Sequence, residues 1–249
     1  MVDDTNGSSQ QHNAATNSRR RFLGGTAGAL GVLGVGGAFA LPVAAGDPEP
    51  TGSDEPPGAV DSEFENDAEI LNFARRLEFL EARFYEEALD NIDEADLLEM
   101  GAVNHVDNHV DADVDAVGEK VIGYLRDEIE TIQEHEEIHA EMLGNVVNDL
   151  GGDPIEEPEF DFGETVKKPK KCVETAALLE ATGMAAYAGA VTEIENENVI
   201  PHALSIHSVE ARHASFLRMV GVQTGFPNAF DYPLARSDVE EIIEPFMAE

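Results

Sequence analysis

Apolar residues return every three or four positions along four long stretches of the chain, a spacing that predicts four helices. The first runs from about Asp67 to Asp90, with Leu71, Ala74, Glu78, Glu81, Tyr85 and Ala88 on one face and Leu77 and Phe84 broadening it. Asn66-Asp67-Ala68-Glu69 opens it as a capping box. The second runs from about Asp115 to Leu150, where Gly151-Gly152 stops it. The third, about Cys172 to Glu195, lines up Val173, Ala177, Glu180, Met184, Tyr187 and Val191. The fourth starts at Pro201, a residue suited to a first helical turn, and runs to about Val220. Ser237-Asp238-Val239-Glu240 reads as a second capping box and opens a short last helix to about Phe246. Between these lie a long Asp-rich excursion (Asn91–Ala116), a Pro-containing connection (Asp153–Lys171) and a turn-rich wrap (Gly225–Pro233).

Charged residues interrupt the apolar stripes at matching places. Glu136-Glu137-Ile138-His139 lies between Ile129, Ile132, Leu143 and Val146; a second Glu-x-x-His, Glu210 to His213, lies between Ala203, Ile206, Leu217 and Val220. A carboxylate and an imidazole three positions apart share a helix face. The other two helices carry Glu78 with Tyr85, and Glu180 with Tyr187, each tyrosine seven positions on. Seven positions are two turns, about 10.5 Å of rise, so each tyrosine shares its glutamate's face but lies in another layer. Buried carboxylates are costly unless paired or metal-bound, and a metal site inside a helical bundle gives all four stripes one cause. Two antiparallel hairpins related by a pseudo-twofold axis would aim four carboxylates and two imidazoles at one point. That donor set suits two iron or manganese ions, whereas closed zinc sites use fewer ligands. The repeat selects Glu78 over Glu81, because the residue equivalent to Glu81 in the third helix is Gly183; Glu81 reads as a partner of the ligands or a boundary residue.

The order Glu/Tyr, ExxH, Glu/Tyr, ExxH resembles the ferritin-like superfamily, which includes ferritin, bacterioferritin and rubrerythrin, and looks closest to its exported single-bundle members. The resemblance covers about Asp67–Val220 and extends to the tail, Phe226-Pro227, Phe230-Asp231 and Pro233. It implies an all-α four-helix bundle with one long crossover, Gly151–Lys171, and a short C-terminal helix. It implies Glu78 and Glu180 as terminal carboxylates, Glu136 and Glu210 as bridging ones, and His139 and His213 capping one metal each. Tyr85 and Tyr187 read either as core tyrosines bonded to ligand carboxylates or as relays for a radical or electron. The function implied is oxidation of ferrous iron or reduction of peroxide, the alternative being a non-catalytic metal-binding or stress-protection protein at the cell surface. The chain departs from the family in its long excursion, in lacking a rubredoxin-like cysteine module, and in its N-terminal segment, which a storage cage would not carry.

His135-Glu136-Glu137-Ile138-His139 also spells the H-E-x-x-H of zinc metalloproteases; that reading leaves Glu78, Glu180 and the second Glu-x-x-His unexplained. His105, His109 and His207 read as surface or packing histidines, His202 as solvated, Met184 as part of its stripe, and Cys172, the single cysteine, as a small hydrophobe. One cysteine rules out an intrachain disulfide or a cysteine-ligated cluster.

Composition adds context. The hydrophobic fraction is 42%, enough for one sizeable core, while aromatics are 6% with no Trp. Asp and Glu number 51 against 15 Lys and Arg, a formal charge of -36, which argues against nucleic acid or anionic lipid as a partner. The balance resembles proteins of extreme halophiles. The basic patch Lys167–Lys171 reads as a local counterweight or a docking site. Ser18-Arg19-Arg20-Arg21-Phe22-Leu23 precedes an uncharged run to Ala45 and resembles the twin-arginine export signal, which implies the twin-arginine machinery as a partner and an extracellular or cell-surface location. Ala38-Phe39-Ala40 and Val43-Ala44-Ala45 offer cleavage sites, and an uncleaved run is long enough to anchor in a bilayer. Residues 46–65 read as an acidic linker and 66–249 as the bundle with its extension. A homodimer is compatible with this reading, and no electron donor is named by it.

Overall fold

A computed structural model describes residues 57–92 and 114–248, with side chains described from 123 onward in the second helix. The twin-arginine segment, its cleavage sites, His105, His109 and most of the excursion lie outside the described residues. Among those described are five α-helices: α1 (Asp67–Asn91), α2 (Val114–Asp149), α3 (Pro169–Ala190), α4 (Ile200–Val220) and α5 (Arg236–Ile243). Short 3-10 turns occur at Thr165–Lys167 and Glu244–Phe246. The architecture is all-α: α1 packs along α2, α3 along α4, and α1 on α3. Among the described residues no helix is long and apolar enough to cross a membrane.

Local chemistry explains most boundaries. Asn66 caps α1, its side chain accepting from the Glu69 N–H at 3.1 Å. The Glu69 carboxylate reaches one residue further back than a capping box requires, to the Glu65 N–H at 2.8 Å. Gly151, at φ +79, ends α2 in the left-handed region; the Gly151 N–H returns to Asn148 O at 2.9 Å and the Gly152 N–H to Val147 O at 3.0 Å. The crossover is pinned through Arg75 of α1, which donates to Ala140 O of α2 at 3.0 Å and to Ile155 O at 2.6 Å.

Three expectations are corrected. The third helix runs Pro169–Ala190 rather than Cys172–Glu195: Pro169 occupies its first turn instead of closing the connection, and the chain turns away after Ala190. The connection read as irregular contains the 3-10 turn. The second capping box does not form, because Ser237 already lies inside α5. Its N–H donates to Glu63 at 2.7 Å and its hydroxyl to Glu63 at 2.9 Å, while Glu240 accepts from Arg76 and Arg236, each at 3.0 Å. Glu63 therefore ties the end of the segment read as a linker to the bundle, and Phe64 packs against the core beside it.

Two apolar clusters form the core. One gathers Phe73, Leu80, Phe84, Leu125, Ile129, Ile132 and Leu217; the other gathers Ile70, Leu71, Leu143, Val147, Ala203 and Ile206. Tyr85 belongs to the first and Tyr187 to the second. The tail crosses α3 where its side chains are small: the Leu234 N–H donates to Ala185 O at 3.0 Å, and a Cβ on Gly189 would lie 2.2 Å from Leu234 O.

G189A is expected to dislodge this tail strap and destabilise the protein by about 1–3 kcal/mol. G123A, where a Cβ meets nothing within 4 Å, is expected to be neutral or stabilising by up to about 1 kcal/mol. Chemical denaturation of both variants measures the contrast.

Candidate metal centre

The apolar stripes bury every glutamate that they enclose. Glu78, Glu136, Glu180 and Glu210 are 0% exposed, and His213 is 6% exposed. His139 is half-buried. Glu78, Glu136, His139 and Glu210 bring one donor atom each within 4.8 Å of one another, and Glu136, Glu180, Glu210 and His213 do the same. The six residues singled out from the repeat thus converge in two groups that share Glu136 and Glu210, each group able to chelate a metal ion. The H-E-x-x-H pair His135 and His139 falls in no common group.

The pseudo-twofold relation holds for the tyrosine bonds and for the contacts of His139 with Glu78 and His213 with Glu180, whereas both histidines approach Glu136. The Tyr85 hydroxyl donates to Glu180, and the Tyr187 hydroxyl donates to Glu78. His139 Nδ1 lies 3.0 Å from Glu78 and 3.1 Å from Glu136; His213 Nδ1 lies 3.1 Å from Glu180 and 2.9 Å from Glu136. The last approach is an ion-pair distance without hydrogen-bond alignment, so Glu136 Oε1 still has no hydrogen-bond partner. Both oxygens of Glu210 and Oε2 of Glu81 are likewise buried without one, His139 Nδ1 approaching Glu210 Oε1 only to 3.4 Å. A carboxylate stripped of water with oxygens that accept no hydrogen bond is disfavoured. Cations between Glu136 and Glu210 would relieve it, so the donor set fits a metal.

Electrostatics in the metal-free protein points the same way. Burial, then the charge of Glu180, raises Glu136 to about 8 against the opposing pull of the His139 and His213 rings beside it. Glu210 and Glu81 are pushed well above the usual carboxylate range, again by burial first and neighbouring carboxylates second. Burial alone would lower the two histidines, but the carboxylates of Glu136 and Glu78 beside it raise His139 to about 10, and those of Glu136 and Glu180 raise His213 to about 9. Burial and the adjacent carboxylates raise both tyrosines, so their hydroxyls stay protonated as donors. Without metal, protons do the neutralising.

Two residues break the symmetry. Glu81, 2% exposed, fills space left by Gly183, where a Cβ would lie 3.0 Å from Glu81 Oε1 and 3.3 Å from Glu210 Oε2. His135 Nδ1 lies 3.0 Å from His213 Nε2. Sequence reasoning placed Glu81 at the margin of the site and gave His135 no part in it. The available signal was that His135 precedes His139 by one helical turn and so shares its face. Cys172 is buried with its thiol pushed up to about 12 by burial, and His202 is exposed, both in keeping with the bland roles expected of them.

A helical bundle that closes two carboxylate-and-imidazole groups into its core defines a ferritin-like metal-binding protein. Residues 66–222 match the family model described as a ferritin-like domain, and the chain belongs to that family. No curated protein matches the chain.

The raised values set a pH dependence. Glu136, His139 and His213 hold protons in the folded chain that the unfolded chain releases at lower pH. Their stabilisation is complete below the unfolded values and is lost as pH rises through about 8, 9 and 10. The melting temperature of the metal-free protein is expected to fall steadily between pH 5 and pH 10, and saturating Mn(II) to flatten that fall by replacing the protons. Thermal melts of both forms across that range check the sign.

Proposed function

We propose that the protein binds two iron or manganese ions in its bundle core and performs redox chemistry there, oxidising ferrous iron or reducing peroxide, outside the cytoplasm. The observation that carries this reading is the set of unpartnered buried oxygens on Glu136 and Glu210, the residues common to both ligand groups. Two divalent ions would bring four positive charges against the carboxylates of Glu78, Glu136, Glu180 and Glu210, the balance a dry core requires. Carboxylate oxygens with one imidazole per ion suit iron or manganese better than a closed zinc site.

When bound, the ions supply the electrons that reduce dioxygen or peroxide. The chain's residues supply the geometry. Glu78 and Glu180 each serve one ion and are held by the hydroxyls of Tyr187 and Tyr85. Glu136 and Glu210, common to both groups, would be shared between the two ions. His139 and His213 would hold one ion each as neutral rings, which requires each to release a proton. The two apolar clusters keep water from the carboxylates. Access comes from the histidine side, along α2 and α4, where the His139 and His213 side chains keep 12% and 8% exposure while their carboxylate partners keep 0–1%.

Anaerobic loading with Fe(II) followed by oxygen or peroxide tests the chemistry. Rapid oxidation of two ions per chain is expected, lost at least a hundredfold in E136A and E210A, in keeping with the roughly 10²-fold penalty for misplaced catalytic geometry. Stoichiometric binding without oxidation would instead mark a binding protein. Export is supported by the motif at Ser18–Leu23; replacing Arg19 and Arg20 by Lys is expected to retain the protein inside the cell, as cell fractionation would record.

A further inference from the structure

The two halves of the centre differ at one hydrogen bond. His135 Nδ1 and His213 Nε2 are 3.0 Å apart, and their ring planes differ by 13° with centroids 5.3 Å apart. That separation is the one two imidazoles must have when joined edge to edge through such a bond in a shared plane. The rings are therefore not stacked; the N–H of one points along the in-plane lone pair of the other. The other nitrogen of His213, Nδ1, faces Glu180 and Glu136 inside the cluster.

We propose that His135 is a positioning residue for the metal centre: by accepting from His213 Nε2–H it keeps the Nδ1 lone pair of His213 aimed into the cluster, and it makes the His213 position the tighter of two inequivalent metal positions. This rests on the dinuclear reading above. A neutral imidazole carries one proton, and the partner of one nitrogen decides which nitrogen is free to ligate. An acceptor at Nε2 also holds the ring angle and raises the basicity of the ligating nitrogen. His139 has no such support. The residue of α4 equivalent to His135 is Val209, and among the described residues no acceptor reaches His139 Nε2.

Titration of the full chain with Co(II), followed by optical spectra and proton NMR, tests the assignment. Wild type is expected to bind two ions with unequal affinity and to show a shifted, slowly exchanging ring N–H line from His213 that is absent in H213Q. H135V, which installs the residue found at 209, is expected to weaken the tighter site about ten- to a hundredfold, leave the other unchanged and lose the protected line. H135N, which keeps an acceptor near the position of Nδ1, is expected to restore both; H135L replaces H135V if circular dichroism shows that H135V is unfolded. Unchanged affinities in H135V, equal weakening of both sites, or H135N failing like H135V would overturn the assignment. Wild type that binds no Co(II) would instead overturn the dinuclear reading, and this inference with it.

Discussion

Four carboxylates at 0% exposure, with a fifth at 2%, set the terms for the rest of this bundle. Left ionised and unpaired they would cost more than the few kcal/mol by which domains are stable. The surroundings are arranged around that cost. Reciprocal bonds from Tyr85 and Tyr187 tie α1 to α3 across the core, and the two histidines tie α2 to α1 and α4 to α3. In the metal-free state protons on Glu136, His139 and His213 offset the charge. Oxygens of Glu136 and Glu210 still lack partners, so that compensation is incomplete. Folding and metal affinity are then two readings of one electrostatic deficit.

What could be read in the chain beforehand followed from helical periodicity. The two Glu-x-x-His pairs and the two Glu-to-Tyr pairs are local patterns on single helices, so spacing alone put each on the correct face. The α2 terminator was legible because Gly151 has the left-handed φ that only glycine adopts cheaply. The errors have long-range causes. Ser237 and Glu240 spell a capping box, but Glu63, far away in the chain, takes the Ser237 N–H, and two arginines take Glu240. The Ala-rich sequence of α3 offers no local stop at Ala190, and Pro169 could be read equally as a breaker or a first-turn residue. His135 was hidden because its partner lies 78 positions away on another helix. The N-terminal signal and most of the excursion belong to residues that the structure does not describe.

The near-symmetry has a further consequence. Each half contributes a glutamate, a tyrosine and a Glu-x-x-His, yet Glu81 faces Gly183 and His135 is matched by Val209. The first asymmetry adds a buried carboxylate beside Gly183, and the second adds a ring-to-ring bond at His213. Two candidate ligand groups with the same donor types thereby sit in different surroundings. The formal charge of -36 favours cations near the chain generally; the two buried ligand groups supply the specific donors.

The most direct test is an anomalous diffraction map of natively produced protein, collected on both sides of the iron and manganese absorption edges. The account predicts two peaks per chain between Glu136 and Glu210, one beside His139 and one beside His213. Absence of any transition-metal peak there, or a single ion bound elsewhere on the molecule, would contradict it.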